Sequence, residues 1–478
     1  MLAERFPETA ETQPELLAHH YTEAGLSTQA IPYWQKAGQR AVEHSANAEA
    51  IRHLIKGLSL LTVLPDTPGS LYQELMLQIT LGTSLMATKG YAAPEVQRAY
   101  TRARELCHQL KDTTRLFPVL LGLWRFYASR AEHKTARELG EQLLSAARHT
   151  PEHPMRLLGA HQGLGTTLLY MGEFAPARAH LERGVALYDA QQHRRQALRS
   201  GQDAGVVCLG HLAWALWGLG YPGQALQRLR EALKLAQELV HPLSLCWAHC
   251  LAAIVYQLRR EQQEVREQAE EALRLSNEHG FAQLLAQGTL WTGWLQVDQG
   301  WEEEGSTQMQ EGLAAHRATG AEVYRPYYLA LLAEVYGKMD QTKKGLSVLA
   351  EALDVVDKTG ERFYEADLYR LKGELALQKL SVASYQLSVT STQHTQHLAP
   401  NTQSEAEACF HKAMDIARKQ SAKSLELRAV MSLSRLWQQQ GKTKEAHEML
   451  SETYNWFTEG FDTKDLQEAK ALLEELAL

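Results

Sequence analysis

Apolar residues recur along nearly the whole chain with the 3.6-residue period of helices, and Gly or Pro interrupts them at short intervals. The stretch "LGHLAWALWGLGYPGQAL" (209–226) shows the unit. An apolar run ends at Gly220, Pro222 marks a turn, and an amphipathic run starts near Gln224. Gly just after a helix and Pro just past it are stop signals with a steric cause. "LLYMGEFAPARAHLERG" (168–184) repeats the design at Gly172 and Pro176. This pattern predicts about 22 helices and no convincing strand.

The second run of each unit is self-similar. It reads "QALQRLREALKLAQEL" (224–239), "EVREQAEEALRLSNEHG" (264–280), "STQMQEGLAAHRATG" (306–320) and "GLSVLAEALDVVDKTG" (345–360). Their small residues Ala232, Ala272, Gly312 and Ala352 are forty apart. Ala103, Leu143 and Gly184 continue the spacing upstream at forty and forty-one, and Ala413 and Thr453 continue it downstream. A fixed period of this length signals a repeat array. Gly165, Gly172, Ala177 and Gly184 sit where the tetratricopeptide hairpin keeps small residues, as do Ala213, Gly220, Ala225 and Ala232. The chain thus resembles the tetratricopeptide family. The resemblance implies an all-α, tetratricopeptide-like α-solenoid of antiparallel hairpins wound as a right-handed superhelix. The family's unit is about 34 residues, so the longer period predicts helices about a turn longer each. Solenoid is expected over 1–380 and again, as C-terminal hairpins, over 405–478. Between them, 381–404 has no charged residue and is mostly Ser, Thr and Gln, which reads as a flexible insertion.

Composition narrows the function classes. A chain of 478 residues with 45% hydrophobic and 22% charged positions is an ordered globular sequence. The net charge of −7 argues against nucleic acid as a partner. The most apolar stretch, 205–220, is too short to span a membrane and contains His211. The start, "MLAERFPETAETQPELL", lacks the basic and apolar regions of a signal peptide. Five cysteines, odd in number, read as reduced core residues. These features predict a cytoplasmic protein without membrane contact.

Three motifs invite chemistry. Gly441-Lys442-Thr443 ends like a P-loop, but Leu436 stands where its first glycine belongs and a helical pattern precedes it. Gly441 also falls where Gly172, Gly220 and Gly300 close their turns. "GLGTTL" (163–168) lacks the third glycine of a dinucleotide loop. Cys246, His249 and Cys250 cluster on one helix but lack a fourth zinc ligand, and His394 and His397 lie in the insertion. No nucleophile elbow or zinc-protease motif occurs. The sequence therefore nominates no catalytic, cofactor-binding or metal-binding residue.

Binding is the remaining class. Counting back from Gly220 and its equivalents along i, i+3, i+7 and i+10 gives the inward face of each first helix. It carries Val207, Gly210, Trp214 and Trp217, then Trp247, Cys250, Ile254 and Gln257, then Gln287, Leu290, Trp294 and Val297, and then Tyr327 and Glu334. Trp214, Trp217, Trp247, Trp294 and Tyr327 are the expected anchors of a protein or peptide partner in a concave groove. The other reading, that these aromatics pack between repeats as core, stays open at this stage. Asn47, Asn277, Asn401 and Asn455 stand at helix ends or in the insertion, which disfavours a Lys/Asn carboxylate grip.

Residues 11–54, "TGERFYEADLYRLKGELAL" (359–377) and 406–476 resemble more closely the C-terminal helical region of bacterial AAA/STAND-type signalling ATPases that carry a class III adenylate/guanylate cyclase domain. That resemblance implies a non-catalytic sensor or regulatory arm, with ATPase and cyclase domains lying upstream of Met1. The ligand-sensing arm of a STAND-type transcription regulator is the alternative. A free-standing enzyme using the Gly-Lys-Thr turn is a third reading.

Overall fold

The computed structural model describes residues 11–148, 154–189, 201–388 and 398–478. Among them are twenty-two α-helices in consecutive hairpins. Helix α1 (Pro14–Glu23) precedes the pairs α2/α3 (Ser27–Glu43, Asn47–Leu61), α4/α5 (Pro68–Lys89, Pro94–Leu110) and α6/α7 (Thr113–Ser129, His133–Arg148). There follow α8/α9 (Pro154–Tyr170, Phe174–Ala186), α10/α11 (Ala204–Gly218, Pro222–Leu239) and α12/α13 (Pro242–Leu258, Gln262–His279). The array continues through α14/α15 (Ala282–Asp298, Glu302–Ala318) and α16/α17 (Arg325–Lys338, Thr342–Thr359). It ends with α18/α19 (Glu365–Ser388, Leu398–Lys419), α20/α21 (Lys423–Gln439, Thr443–Tyr454) and α22 (Lys464–Leu476). Helices α18 and α19 extend into the 381–404 segment from both sides, and 389–397 of it lie outside the described residues.

The forty-residue period has a local cause at the turns. Gly220, Arg260, Gly300 and Asp340 each leave the first helix with left-handed φ, at +90°, +64°, +87° and +55°. After each, the next amide reaches back to close the helix end: Tyr221 N to Leu216 O, Glu261 N to Tyr256 O, Trp301 N to Gln296 O and Gln341 N to Tyr336 O, at 2.8–3.0 Å. The small residues of the second helices are packing positions. Ala232, Ala272 and Ala352 are buried, and a Cβ on Gly312 would stand 2.7 Å from Leu290 N.

The array winds tightly enough that one superhelical turn bonds to the next, almost five repeats later. The Tyr91 amide donates to Gln283 Oε1, 192 residues on (3.0 Å). Ser129 O accepts from the Glu322 and Val323 amides, and Tyr170 O from those of Arg362 and Phe363. Ser424 Oγ donates to Trp217 O (2.6 Å), and Arg428 Nη2 to Leu258 O (2.6 Å). Apart from Gln283, the acceptors are backbone carbonyls at the ends of first helices, groups that an isolated helix leaves unsatisfied. A buried hydrogen bond reinforces the seam. His133 Nε2 lies 3.2 Å from Glu361 Oε2, while Glu361 Oε1 accepts from the Tyr324 amide (2.8 Å). Near the C-terminus, Glu459 accepts from the Gly223 and Gln224 amides (3.0 Å each) and so caps α11 from 235 residues away.

Candidate functional site

The seam changes what the inward face can be. All five sequence-predicted anchors are buried: Trp214 is 1% exposed, Trp217 3%, Trp247 7%, Trp294 7% and Tyr327 0%. The expectation that they line an open groove is therefore corrected for Trp214, Trp217, Trp247 and Tyr327, while Trp294 also reaches the groove described below. Because the turns close on one another, these rings fill the superhelix axis. Trp214 meets Phe363 edge-on (centroids 4.6 Å apart) and packs on Tyr324 (5.7 Å) and Tyr327 (6.5 Å). Trp217 lies under the Arg428 guanidinium at 5.0 Å.

A hydrogen-bonded chain runs beside this plug. The His211 Nδ1–H donates to Val207 O (3.0 Å), which leaves Nε2 to accept from the Tyr170 hydroxyl (3.1 Å). Tyr170 then accepts from the Tyr324 hydroxyl (2.7 Å). Burial lowers the His211 pKa to about 4, keeping the ring neutral as that chain requires.

Space remains on both sides of the plug. On one side, Trp247 and Gln162 line a cavity of about 50 Å³, room for roughly three to five waters. On the other, a groove of about 560 Å³ opens to solvent. Its walls are the C-terminal halves of α12, α14 and α16, residues 370–378 of α18, α20 and the starts of α13 and α22. Three positions from the sequence register, Gln257, Trp294 and Glu334, meet in it. Three register positions thus share one open space. The register's early positions are core, and only its late ones reach the open mouth.

The groove is lined by charge as well as apolar surface. Arg370 binds Asp367 (Nε–Oδ1 2.5 Å) and Glu374 (2.8 Å). Arg428 binds Asp465 (2.8 Å) and approaches Asp367 at 3.8 Å. Arg260 reaches Glu468 (2.8 Å), and Lys338 reaches Asp298 (2.6 Å). Despite its burial, the two guanidinium groups hold Asp367 down to a pKa of about 2. The Tyr327 hydroxyl donates to Gln257 Oε1 (2.7 Å) beneath the groove. The sequence reading stopped at Glu334 and missed Arg370, Glu374 and Arg428. The signal was present: Glu374 lies forty residues after Glu334, which lies forty after Trp294.

The other motifs are placed elsewhere. Gly441 takes φ +77° at the end of α20, and the Lys442 amide is already bonded to Trp437 O (2.9 Å). The Lys442 ammonium sits over the Trp437 ring at 5.6 Å. The Gly163–Leu168 stretch is interior to α8, where a Cβ on Gly165 would stand 2.7 Å from Leu181. Cys246 Sγ rests on Ser276 Oγ (3.2 Å), whereas His249 Nδ1 pairs with Gln268 Oε1 (2.8 Å). Among the described residues, no group of three or more His, Cys, Asp or Glu side chains is placed to hold a metal ion, and no helix is long and apolar enough to cross a membrane. His394 and His397 lie outside the described residues.

With this geometry in place, comparison with known proteins adds the class. No protein-family model matches the chain. The crystal structure of a Rap protein complexed with Competence and Sporulation Factor aligns with a TM-score of 0.56 at 12% identity, covering 82% of this chain and 98% of that one. The apo quorum sensor NprR of B. thuringiensis aligns at 0.44 and 14% identity, covering 82% and 99%. An uncharacterised protein of Rhizobium meliloti (strain 1021), R02095, is 24% identical over 363 residues, which are 75% of this chain. The match spans only 35% of that relative's length. At these identities the likeness establishes the fold: the chain is a tetratricopeptide-like helical-repeat solenoid. It does not establish an attached ATPase or cyclase.

Proposed function

We propose that this chain is a non-catalytic binding scaffold and that its open groove takes a peptide segment of a protein partner. The observation carrying this reading is the 560 Å³ groove, where apolar Trp294, Leu371, Leu375 and Met431 lie among charged and hydrogen-bonding side chains such as Gln257, Ser432 and Arg435. A lining of many polar and charged groups around a few apolar side chains suits an extended segment, whose backbone offers donors and acceptors and whose side chains seat on the apolar spots. The similarly folded Rap protein is complexed with Competence and Sporulation Factor, which supports a ligand-binding role for such a superhelix. The Gly-Lys-Thr turn supports the non-catalytic part, since its lysine amide is committed to closing a helix.

The test is retention of peptides from a pool of random-sequence hexapeptides equilibrated with the full chain. Peptides should be retained, and Arg435→Trp should abolish retention by filling the mouth. Arg435 is 46% exposed in its side chain, so the change spares the core. Retention that ignores this variant overturns the groove as the site.

We infer a finer role on the sequence resemblance: a regulatory arm of a larger signalling ATPase or cyclase. R02095, matched along 35% of its length, supports an arrangement in which this array is one part of a longer protein. An open frame preceding the Met1 codon that encodes a P-loop and cyclase motifs is the expected result. A frame encoding a DNA-binding domain instead overturns it.

A further inference from the structure

Four carboxylates line the groove, and three already hold donors. Glu374 accepts from Arg370 (2.8 Å) and from the Ser432 hydroxyl (2.7 Å). Asp465 accepts from Arg428 (2.8 Å), and Glu468 lies 2.8 Å from Arg260. Glu334 differs. Among the described residues its oxygens accept no hydrogen bond, and Arg370 Nη2 stands 3.7 Å away. Arg370 is not free to move closer, because its other contacts are the fork on Asp367 (2.5 and 3.0 Å) and the bond to Glu374. Lys338, one turn on in the same helix, is turned to Asp298. Yet the Glu334 side chain is 30% exposed and open to the groove. Trp294, one repeat earlier in the same register, lines the groove with it.

Water reaches this carboxylate in the free chain, and among the groove's carboxylates it is the one whose oxygens remain open to a ligand's donors. Burial raises the Glu334 pKa to about 7, against the pull of Arg370 and Arg428 and with the push of Asp367 and Glu374. The resident cations are thus insufficient to stabilise its charge. Arg435 and Lys464 also line the groove, which disfavours a ligand that is basic throughout.

We propose that Glu334 anchors a single cationic group of the bound peptide, a Lys or Arg side chain or a free N-terminal amine, with the Trp294 indole as its aromatic wall. This rests on the peptide-binding reading above. An ammonium or guanidinium supplies the donors that Glu334 lacks. A ring face within about 6 Å adds a further attraction. Binding also releases a proton near neutral pH, because the arriving cation favours the ionised carboxylate.

The test uses hexapeptide pools of otherwise random sequence with one residue fixed as Arg, Lys, Leu or Glu, each with free or acetylated N-termini. Affinities for the full chain and for Glu334→Gln are compared. The Arg and Lys pools, or the free-amine arms, should bind at least about tenfold tighter than the acetylated Leu and Glu pools, a difference of ~1.4 kcal/mol. Glu334→Gln should erase that preference while keeping the residual binding of the Leu pool. Glu334→Asp, which keeps the charge, should retain part of the preference. Calorimetry at pH 7 in two buffers of different ionisation enthalpy should detect proton release for the wild type and none for Glu334→Gln. An acetylated Glu pool that binds as tightly as the acetylated Arg pool overturns this proposal and leaves the peptide groove standing. So does a preference that survives Glu334→Gln in a variant of unchanged circular dichroism. If no pool binds at all, both readings fail.

Discussion

Trp214→Ala separates a filled axis from an open groove. Trp214 is 1% exposed and meets Phe363, Tyr324 and Tyr327 at once. These partners lie on or beside α16 and α18, so the ring joins two superhelical turns. Truncating a buried Trp to Ala costs about 3–5 kcal/mol in transfer and cavity terms. The lost edge-to-face pair with Phe363 adds about 0.5–1.5 kcal/mol. Repeat arrays open region by region, so the loss should be local. Each 1.36 kcal/mol is about tenfold in an equilibrium constant. Amides of α10, α16 and the start of α18 should therefore exchange with solvent roughly a few-hundred- to tens-of-thousands-fold faster. Those of α1–α3 should be unchanged. Hydrogen exchange read by mass spectrometry measures both regions in one experiment. Trp301→Ala is the control. Its ring is 60% exposed, so the change should stay within about 0.5 kcal/mol. Protection in α10 that falls by less than threefold would refute the argument, since it would mean the indole stands in open solvent and the turns do not close.

The remaining predictions probe the seam, the turn and the titrating groups. Glu361→Ala leaves His133 and the Tyr324 amide without their buried acceptor; it should cost about 3–5 kcal/mol by urea denaturation, whereas Glu361→Gln, which keeps an oxygen for Tyr324, should cost less. Glu459→Ala removes the cap on α11 and should cost about 0.5–2 kcal/mol, seen as faster exchange confined to the first turn of α11. Magnesium-ATP in equilibrium dialysis should partition equally with and without the protein, and a bound fraction lost in Lys442→Ala would restore the nucleotide reading. His211 and His316, both buried, have pKa values depressed to about 4. A depressed histidine gives stability that is present above its unfolded value near 6.5 and is lost as pH falls through 4, so the melting temperature should drop across that window, and less so in His316→Phe. Glu334 has the opposite sign. Its pKa, raised to about 7, gives stability that is present below the ordinary carboxyl value and is lost as pH rises through 7. Glu334→Gln should therefore melt above the wild type at pH 8 and nearly level with it at pH 4.

The helices were legible in the sequence because period and punctuation are local properties. Gly220 ends α10 and Pro222 opens α11 by their own backbone chemistry. The inward register was legible for the same reason, and Gln257, Trp294 and Glu334 do share one groove. Whether that face was open was not legible. It depends on how far each hairpin rotates against the last, a small angle that no residue states alone and that accumulates over five repeats. Its outcome is visible only in pairs such as Tyr91 with Gln283 and Tyr170 with Arg362, nearly two hundred residues apart. The charge network was hidden for a different reason. Arg370 and Arg428 read as solvated surface cations until α18 and α20 are brought together with Asp367 between them.

The register itself explains why the proposed binding mouth lies at one end of the axis. Trp214, Ile254, Trp294, Glu334 and Glu374 occupy one inward position in five successive repeats. The first two are apolar and buried inside the axis. The last two are acids, which cannot be stacked in a dry axis without large desolvation costs. A winding that buries Trp214 must therefore leave Glu334 and Glu374 where water or a ligand reaches them. The change from ring to carboxylate between Trp294 and Glu334 marks that boundary, with Trp294 facing both the core and the groove. Moving the acid should move the boundary. Trp294→Glu places a charge one repeat deeper, beside Trp291 at a ring separation of 6.0 Å in the wild type, and should loosen α14 and α16 as measured by exchange. Glu334→Trp should extend the plug outward, raise the melting temperature at pH 8 and close the groove to peptides. A Glu334→Trp variant that still binds peptides with wild-type affinity would place the binding surface somewhere other than this mouth.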